Sequence, residues 1–223
     1  MNGFDVSHWQ GKRGVATWVN KVEGAKFVII KATEGATYVD PSWEQNAIDA
    51  RQCKLMLGFY HYARPDRGNS AKVEAAHFVS TVREYIGTAV LVLDYEGNAH
   101  KYGQAWAKEF LDTVYDMTGV RPMIYLSGSM VKDYKEIAEA NYGLWIAVWN
   151  SESKMKSYLT GWNIWAMWQH TSTPVDMDKF NGTEGQFLMY AAVDEDWLQQ
   201  EEELDKTVGC HCKCCGCCAG EDN

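Results

Sequence analysis

The stretch "AVLVLDYEGN", residues 89–98, decides how this chain is read. Five small or apolar residues run straight into two acids, Asp94 and Glu96, with Tyr95 between them. A run apolar on both faces suits a parallel strand covered on both sides. Side chains alternate along a strand, so Asp94 and Glu96 leave one face, with Cβ atoms roughly 7 Å apart, and Tyr95 leaves the other. Like charges that close, backed by an apolar strand, push one carboxyl toward its protonated form and leave its neighbour ionised. That division suits glycoside hydrolysis, which needs an acid for the leaving oxygen and a carboxylate beside an oxocarbenium-like transition state. A divalent-cation pair or a salt-bridged pair is the competing reading. "HYAR" and "MWQHT" offer no partner ligands at a convincing spacing for the cation.

Outward from this strand, short apolar runs alternate with helical patterns. Further strand candidates are "GFDVS" (3–7), "FVIIKAT" (27–33), "LGFYHYA" (57–63), "PMIYLSG" (122–128), "LWIAVWN" (144–150), "IWAMWQHT" (164–171) and "VDMDKF" (175–180). Between them, "DPSWEQNAIDARQC" reads as a helix with Asp40 as N-cap and Pro41 at its first position. "SAKVEAAHFVSTVREYIG" places Ala75, Val79, Val82 and Ile86 on one stripe and ends at Gly87. "QAWAKEFLDTVYDMTG" repeats Ala107, Phe110, Leu111, Val114 and Met117 before Gly119. A fourth helix is expected around "MVKDYKEIAEA", and after residue 144 the helical signal fades into polar loops. No glycine-rich phosphate turn follows an early strand, which disfavours a doubly wound open sheet. The expectation is an α/β fold: a closed, parallel, irregular TIM-like (β/α) barrel of about five βα units plus three further strands, over residues 1–198 as one domain.

Bulk properties narrow the function. A net charge of −9 argues against nucleic acid, which requires a basic footprint. No apolar run reaches the length of a membrane span. Ten Trp and twelve Tyr exceed what a core of this size needs, and such side chains commonly line sites for ring-shaped ligands. "MNGFDVSHWQG" lacks the basic and apolar regions of a secretory signal.

In a (β/α) barrel the functional side chains stand at the carboxyl ends of the strands. Acids at or near those ends are Asp5, Glu34, the Asp94–Glu96 pair and Asp176. Tyr60, Tyr62, Tyr125, Trp149 and Trp168 lie near the same ends, where sugar faces could stack, whereas Trp145 and Trp165 read as packing. His8 and His61 read as hydrogen-bonded structural residues rather than general bases, and Cys53 as a small packing residue on its helix.

Taken together, "GFDVSHWQG", "FVIIKATEG", "GFYHYARP", "LVLDYEG", "PMIYLSG", "LWIAVWN", "WQHTS" and "VDMDKFNG" resemble glycoside hydrolase family 25, the N-acetylmuramidase lysozymes of bacteria and their phages. The resemblance runs from about residue 3 to residue 198. It implies an irregular barrel and cleavage of the β-1,4 bond between N-acetylmuramic acid and N-acetylglucosamine in the glycan strands of bacterial peptidoglycan, with no cofactor. It implies Glu96 as general acid and Asp94 either as nucleophile or as the group that positions the substrate's own N-acetyl. Asp5 and Asp176 would orient substrate and tune the acid. Tyr62 and Tyr125 would contact the N-acetyl group and sugar, and Trp149, Trp168 and Gln169 would line subsites beside Glu34. Two departures stand out: Asp178 replaces the more usual asparagine, and Trp149 stands where a tyrosine is common.

Residues 199–223 form an acidic tail in which Cys210, His211, Cys212, Cys214, Cys215, Cys217 and Cys218 crowd together. Such density suits thiolate binding of a soft ion or disulfide-linked oligomerisation outside the cell, though no regular CxxC…CxxC spacing supports either. The expected setting is a phage endolysin made in the host cytoplasm and released to the wall at lysis. A bacterial autolysin and a non-catalytic wall-binding barrel are the alternatives.

Overall fold

The computed structural model, which describes residues 1–199, has nine strands in one sheet: β1 (Asn2–Val6), β2 (Ala25–Glu34), β3 (Tyr38–Val39), β4 (Met56–Tyr62), β5 (Val90–Asp94), β6 (Met123–Ser127), β7 (Gly143–Ala147), β8 (Met167–Thr171) and β9 (Met177–Phe180). Eight of them close into a barrel, because β1 pairs with both β2 and β9, and β3 is a short antiparallel addition to β2. The irregular TIM-like barrel is therefore present, with one correction. The barrel strands run parallel from β1 through β8, β3 aside, but β9 is antiparallel to both of its neighbours. The link from β8 to β9 spans only 172–176, far short of the dozen or so residues that a parallel crossover needs.

Helices flank the sheet: α1 (Gly14–Trp18), α2 (Trp43–Gln52), α3 (Ala71–Val82), α4 (Gly103–Thr118), α5 (Lys135–Glu139), α6 (Glu152–Lys156) and α7 (Glu184–Ala191). Strand alternation divides the apolar residues into two cores. Phe27, Ile29, Val90, Val92, Met123, Trp145 and Met167 fill the barrel. Val28, Ile30, Leu91, Leu93, Ile124 and Ile146 face outward, against Phe78 of α3 and Phe110 and Leu111 of α4. Helix α7 closes the barrel floor: Phe187 packs on Phe27 and Phe180, with ring centroids 5.1 and 5.2 Å apart. That leaves the opposite, carboxyl-end mouth for polar groups.

Several local expectations need correcting. Helix α2 starts at Trp43 with Ser42 as N-cap, and Asp40 is not its cap. The buried Asp40 carboxylate instead accepts from Ser42 N and Oγ (2.9 and 2.6 Å) and from His8 N (3.0 Å), and it lies 2.8 Å from His8 Nδ1. Met117 is 47% exposed, while the rest of its stripe is buried. The helical pattern toward Gly87 gives way after Val82 to a 3-10 turn, Arg83–Tyr85. Cys53, expected to pack, is exposed at the end of α2. Short α6 and eight-residue α7 occupy the region read as loops. Gly119, by contrast, ends α4 as expected: its φ is +67°, and a Cβ there would meet Trp197 and Val193 at 2.7 Å. The cysteine cluster 210–218 lies outside the described residues.

His61 and Glu74 are wholly buried and bonded, Nε2 to Oε2 at 2.8 Å, with Thr33 Oγ1 2.8 Å from Nδ1. Burial pushes the imidazole below its ordinary pKa, so His61 is neutral, with Nε2 carrying the hydrogen. Glu74 also accepts from Arg64 N and the Asn69 amide. This network ties β4 to α3 and is structural. Glu74→Leu strands three donors at once and is expected to cost about 3 kcal/mol, read as a lower denaturant midpoint.

Candidate active site

Strand β5 ends at Asp94, but the backbone stays extended through Glu96 (φ −140°, ψ 179°), and Tyr95 N donates to Tyr125 O at 3.2 Å. The two acids therefore share the inner face. Tyr95 turns outward, stacking on Trp106 at 5.7 Å and donating to Gly103 O at 3.0 Å.

Above the barrel core lies a cavity of about 250 Å³. Its acids are Asp5 from β1, Asp94, Glu96, and Asp176 just before β9. Its aromatics are Tyr60, Tyr125, Trp145 and Trp149, and Gln169 from β8 completes the wall. Gln169 Oε1 accepts from Tyr125 OH (3.0 Å) and Trp149 Nε1 (3.2 Å), which aims its Nε2 at Asp5 Oδ2, 2.8 Å away. Trp149 is 61% exposed, so its indole flank stays open for contact.

Burial and the adjacent Glu96 hold Asp94 well above the ordinary aspartate range, with Lys31 opposing them. Asp94 Oδ1 is buried without a partner among the described residues. Burial also raises Glu96, Lys31 pulls it back, and Asp176 adds to the rise. Glu96 is only half-buried. Asp5 is raised well above its usual value by burial and by the Asp178 and Asp176 charges. Tyr62 is pushed up to about 12 by burial with Glu96 and Asp94 nearby, so it remains a hydrogen-bond donor at neutral pH.

Of the residues read from the sequence, Asp5, Asp94, Glu96, Asp176, Tyr125, Trp149 and Gln169 meet in this cavity. Tyr62 lines an adjoining hollow of about 200 Å³ with Arg64, Asp66 and Asn98; Glu96 lines both hollows and so stands between them. Glu34 does not line the cavity. It is held by Arg64 at 2.6 Å, Lys31 at 2.9 Å and Arg67 at 3.1 Å, and the Lys31 ammonium lies 4.7 Å from the Tyr62 ring centroid. Trp168 points to the outer layer, donating to Val148 O at 2.8 Å. Trp145, read as packing alone, is on the inner face, where its Nε1 donates to Asp178 Oδ1 at 2.9 Å. Trp145 stands four residues before Trp149, the same parity along an extended chain, and that spacing carried the signal. Among the described residues no three His, Cys, Asp or Glu side chains converge as metal ligands.

The model of glycosyl hydrolases family 25 matches residues 4–178. The chain belongs to this family. It is a glycoside hydrolase of the lysozyme class. Lysozyme M1 of Streptomyces globisporus is 30% identical over 216 residues, covering 86% of this chain and 71% of that protein. An N,O-diacetylmuramidase of Arthroderma benhamiae is 30% identical over 213 residues, 86% of each chain. The solved muramidase of Trichobolus zukalii superposes with a TM-score of 0.72 at 30% identity, covering 86% of this chain and 98% of that one. The family match spans all four cavity acids.

Proposed function

We propose that this family 25 hydrolase is a muramidase that cleaves the β-1,4 bond from N-acetylmuramic acid to N-acetylglucosamine in peptidoglycan. One observation carries the reading: Asp94 and Glu96 leave the same face of β5 into one cavity, with Glu96 between it and a second hollow. A glycan lying across both hollows presents its glycosidic oxygen to Glu96. There Glu96 acts as general acid, protonating the leaving oxygen, its proton retained by burial and by Asp176. Asp94 supports the positive charge that grows at the anomeric carbon, either by attacking it or by holding the substrate's N-acetyl oxygen for attack. Asp5 and Asp176 line the same wall and orient the sugar, while Tyr125 and Trp149 supply contact surface. The proposed setting is lysis of a bacterial wall, by a phage endolysin or, alternatively, by an autolysin.

Purified walls incubated with the protein should release soluble fragments and new reducing ends. Walls that bind the protein without releasing reducing ends would favour a binding barrel instead. Trp149→Ala removes the open stacking face, and a roughly tenfold rise in KM is expected with a smaller change in kcat, from about 1–1.5 kcal/mol of lost aromatic contact. Initial rates on soluble glycan oligomers read that split.

A further inference from the structure

Asp178 is the one acid of the barrel interior that the proposed reaction leaves unused. Its backbone pairs with Gly3 of β1 and Gln169 of β8, and it is 1% exposed. Among the described residues, one N–H donor bonds it, Trp145 Nε1 at 2.9 Å to Oδ1; Oδ2 is buried with no donor. Facing it are the carboxyl groups of Asp5 from β1 and Asp176 from the approach to β9, and the phenol of Tyr125 from β6. Gln169 from β8 turns its amide N–H to Asp5 instead.

An ionised Asp178 would leave Oδ2 buried and unsatisfied and would set a second negative charge against Asp5, both costly inside a barrel. A carboxylic acid has neither difficulty. Its carbonyl oxygen takes the Trp145 N–H, and its hydroxyl has Asp5 as acceptor. We propose that Asp178 works as a neutral carboxylic acid, a positioning residue whose O–H donates to Asp5 and, together with the Gln169 amide, fixes the Asp5 carboxylate at the cavity wall. Burial raises Asp178 to about 8, with the Trp145 and Asp5 hydrogen bonds pulling it down, and burial and the Asp178 contact raise Asp5 as well. The two carboxyl groups therefore share one proton, and the Gln169 amide on Asp5 together with the orphaned Oδ2 of Asp178 places it on Asp178. The catalytic half of the inference rests on the muramidase reading, in which Asp5 orients the sugar; the protonation half does not.

Two variants test it. Asp178→Asn keeps a carbonyl for Trp145 and an N–H for Asp5 but has no proton to lose. Asp178→Leu removes both. Loss of a charge-assisted hydrogen bond predicts a fall in kcat of about 10- to 100-fold for the Leu variant, with Asn restoring most of it. The ratio of the Asn variant's rate to wild type should rise as pH passes about 8. Unfolding gives a second reading that needs no activity. In the unfolded chain Asp178 ionises near pH 4, but in the fold it keeps its proton up to about 8. Its contribution to wild-type stability is therefore complete below about pH 4 and is lost as pH rises toward 8. The Asn variant loses nothing, so its melting temperature should gain on wild type across that window and level off above it. A stability gap that does not change with pH, or an Asn variant as slow as Leu, would overturn the inference. Wild type inactive on glycan would instead sink the muramidase reading and leave the stability test standing.

Discussion

Glu96→Gln is expected to lower glycan hydrolysis by about a thousandfold, within the range that a general acid supplies, and to leave KM nearly unchanged. Gln matches Glu in size and polarity, so the walls of both hollows keep their shape; only the transferable proton is lost. The physical grounds are local. Glu96 continues an extended backbone from β5, half-buried, with Asp176 facing it across the cavity. Burial and Asp176 raise its pKa, against the pull of Lys31. Activity should therefore fall on the alkaline side as Glu96 gives up its proton at a pH above the ordinary glutamate value. Steady-state rates on purified walls measure the drop, and a variant keeping more than a tenth of wild-type kcat would remove Glu96 from the acid role.

Asp94→Asn should separate activity from stability. As the group that supports positive charge at the anomeric carbon, Asp94 must ionise during turnover, and its loss is expected to cost about a hundredfold to a thousandfold in kcat. Ionisation is also what the fold resists. Asp94 is buried beside Glu96, Oδ1 has no partner among the described residues, and its pKa is held well above the ordinary range. A group raised in the fold contributes stability that is full at acid pH and is lost as pH rises through its folded pKa. The neutral amide avoids that loss. Asp94→Asn should therefore raise stability at neutral pH by about 1 kcal/mol, with the gain vanishing near pH 4. Calorimetry beside kcat checks both, and a variant that is slower and also less stable would mark Asp94 as a structural residue.

How far the sequence carried this picture depended on whether a signal was periodic. The inner-face pairing of Asp94 and Glu96 followed from alternation along one strand, and β5 keeps it: Val90 and Val92 face the barrel, Leu91 and Leu93 the helices. Apart from the two-residue β3, the strands through β8 and helices α3 and α4 were legible for the same reason. What escaped was non-local. The antiparallel entry of β9 is set by a short loop and by closure against β1. Asp40 looked like a helix cap because Pro41 follows it, yet its carboxylate is committed to His8 and Ser42. Helix α7 announced itself only through a capping box, Thr183 with Gln186, since its buried face meets the barrel floor. At the site, Trp168 and Gln169 are sequence neighbours on opposite faces of β8, so only Gln169 reaches the cavity. Glu34 stands at a strand end as expected, but Lys31, Arg64 and Arg67 hold it there. No pattern local to one strand announces that a partner from β4 or its following loop will do so.

The central claim is that this barrel cuts on the reducing side of muramic acid. Purified peptidoglycan digested to completion, reduced with borohydride and hydrolysed to its sugars tests that claim most directly. Reduced muramic acid should be the alditol that accumulates, in proportion to the bonds cut, and it should be absent after Glu96→Gln. Reduced glucosamine in its place would contradict the account.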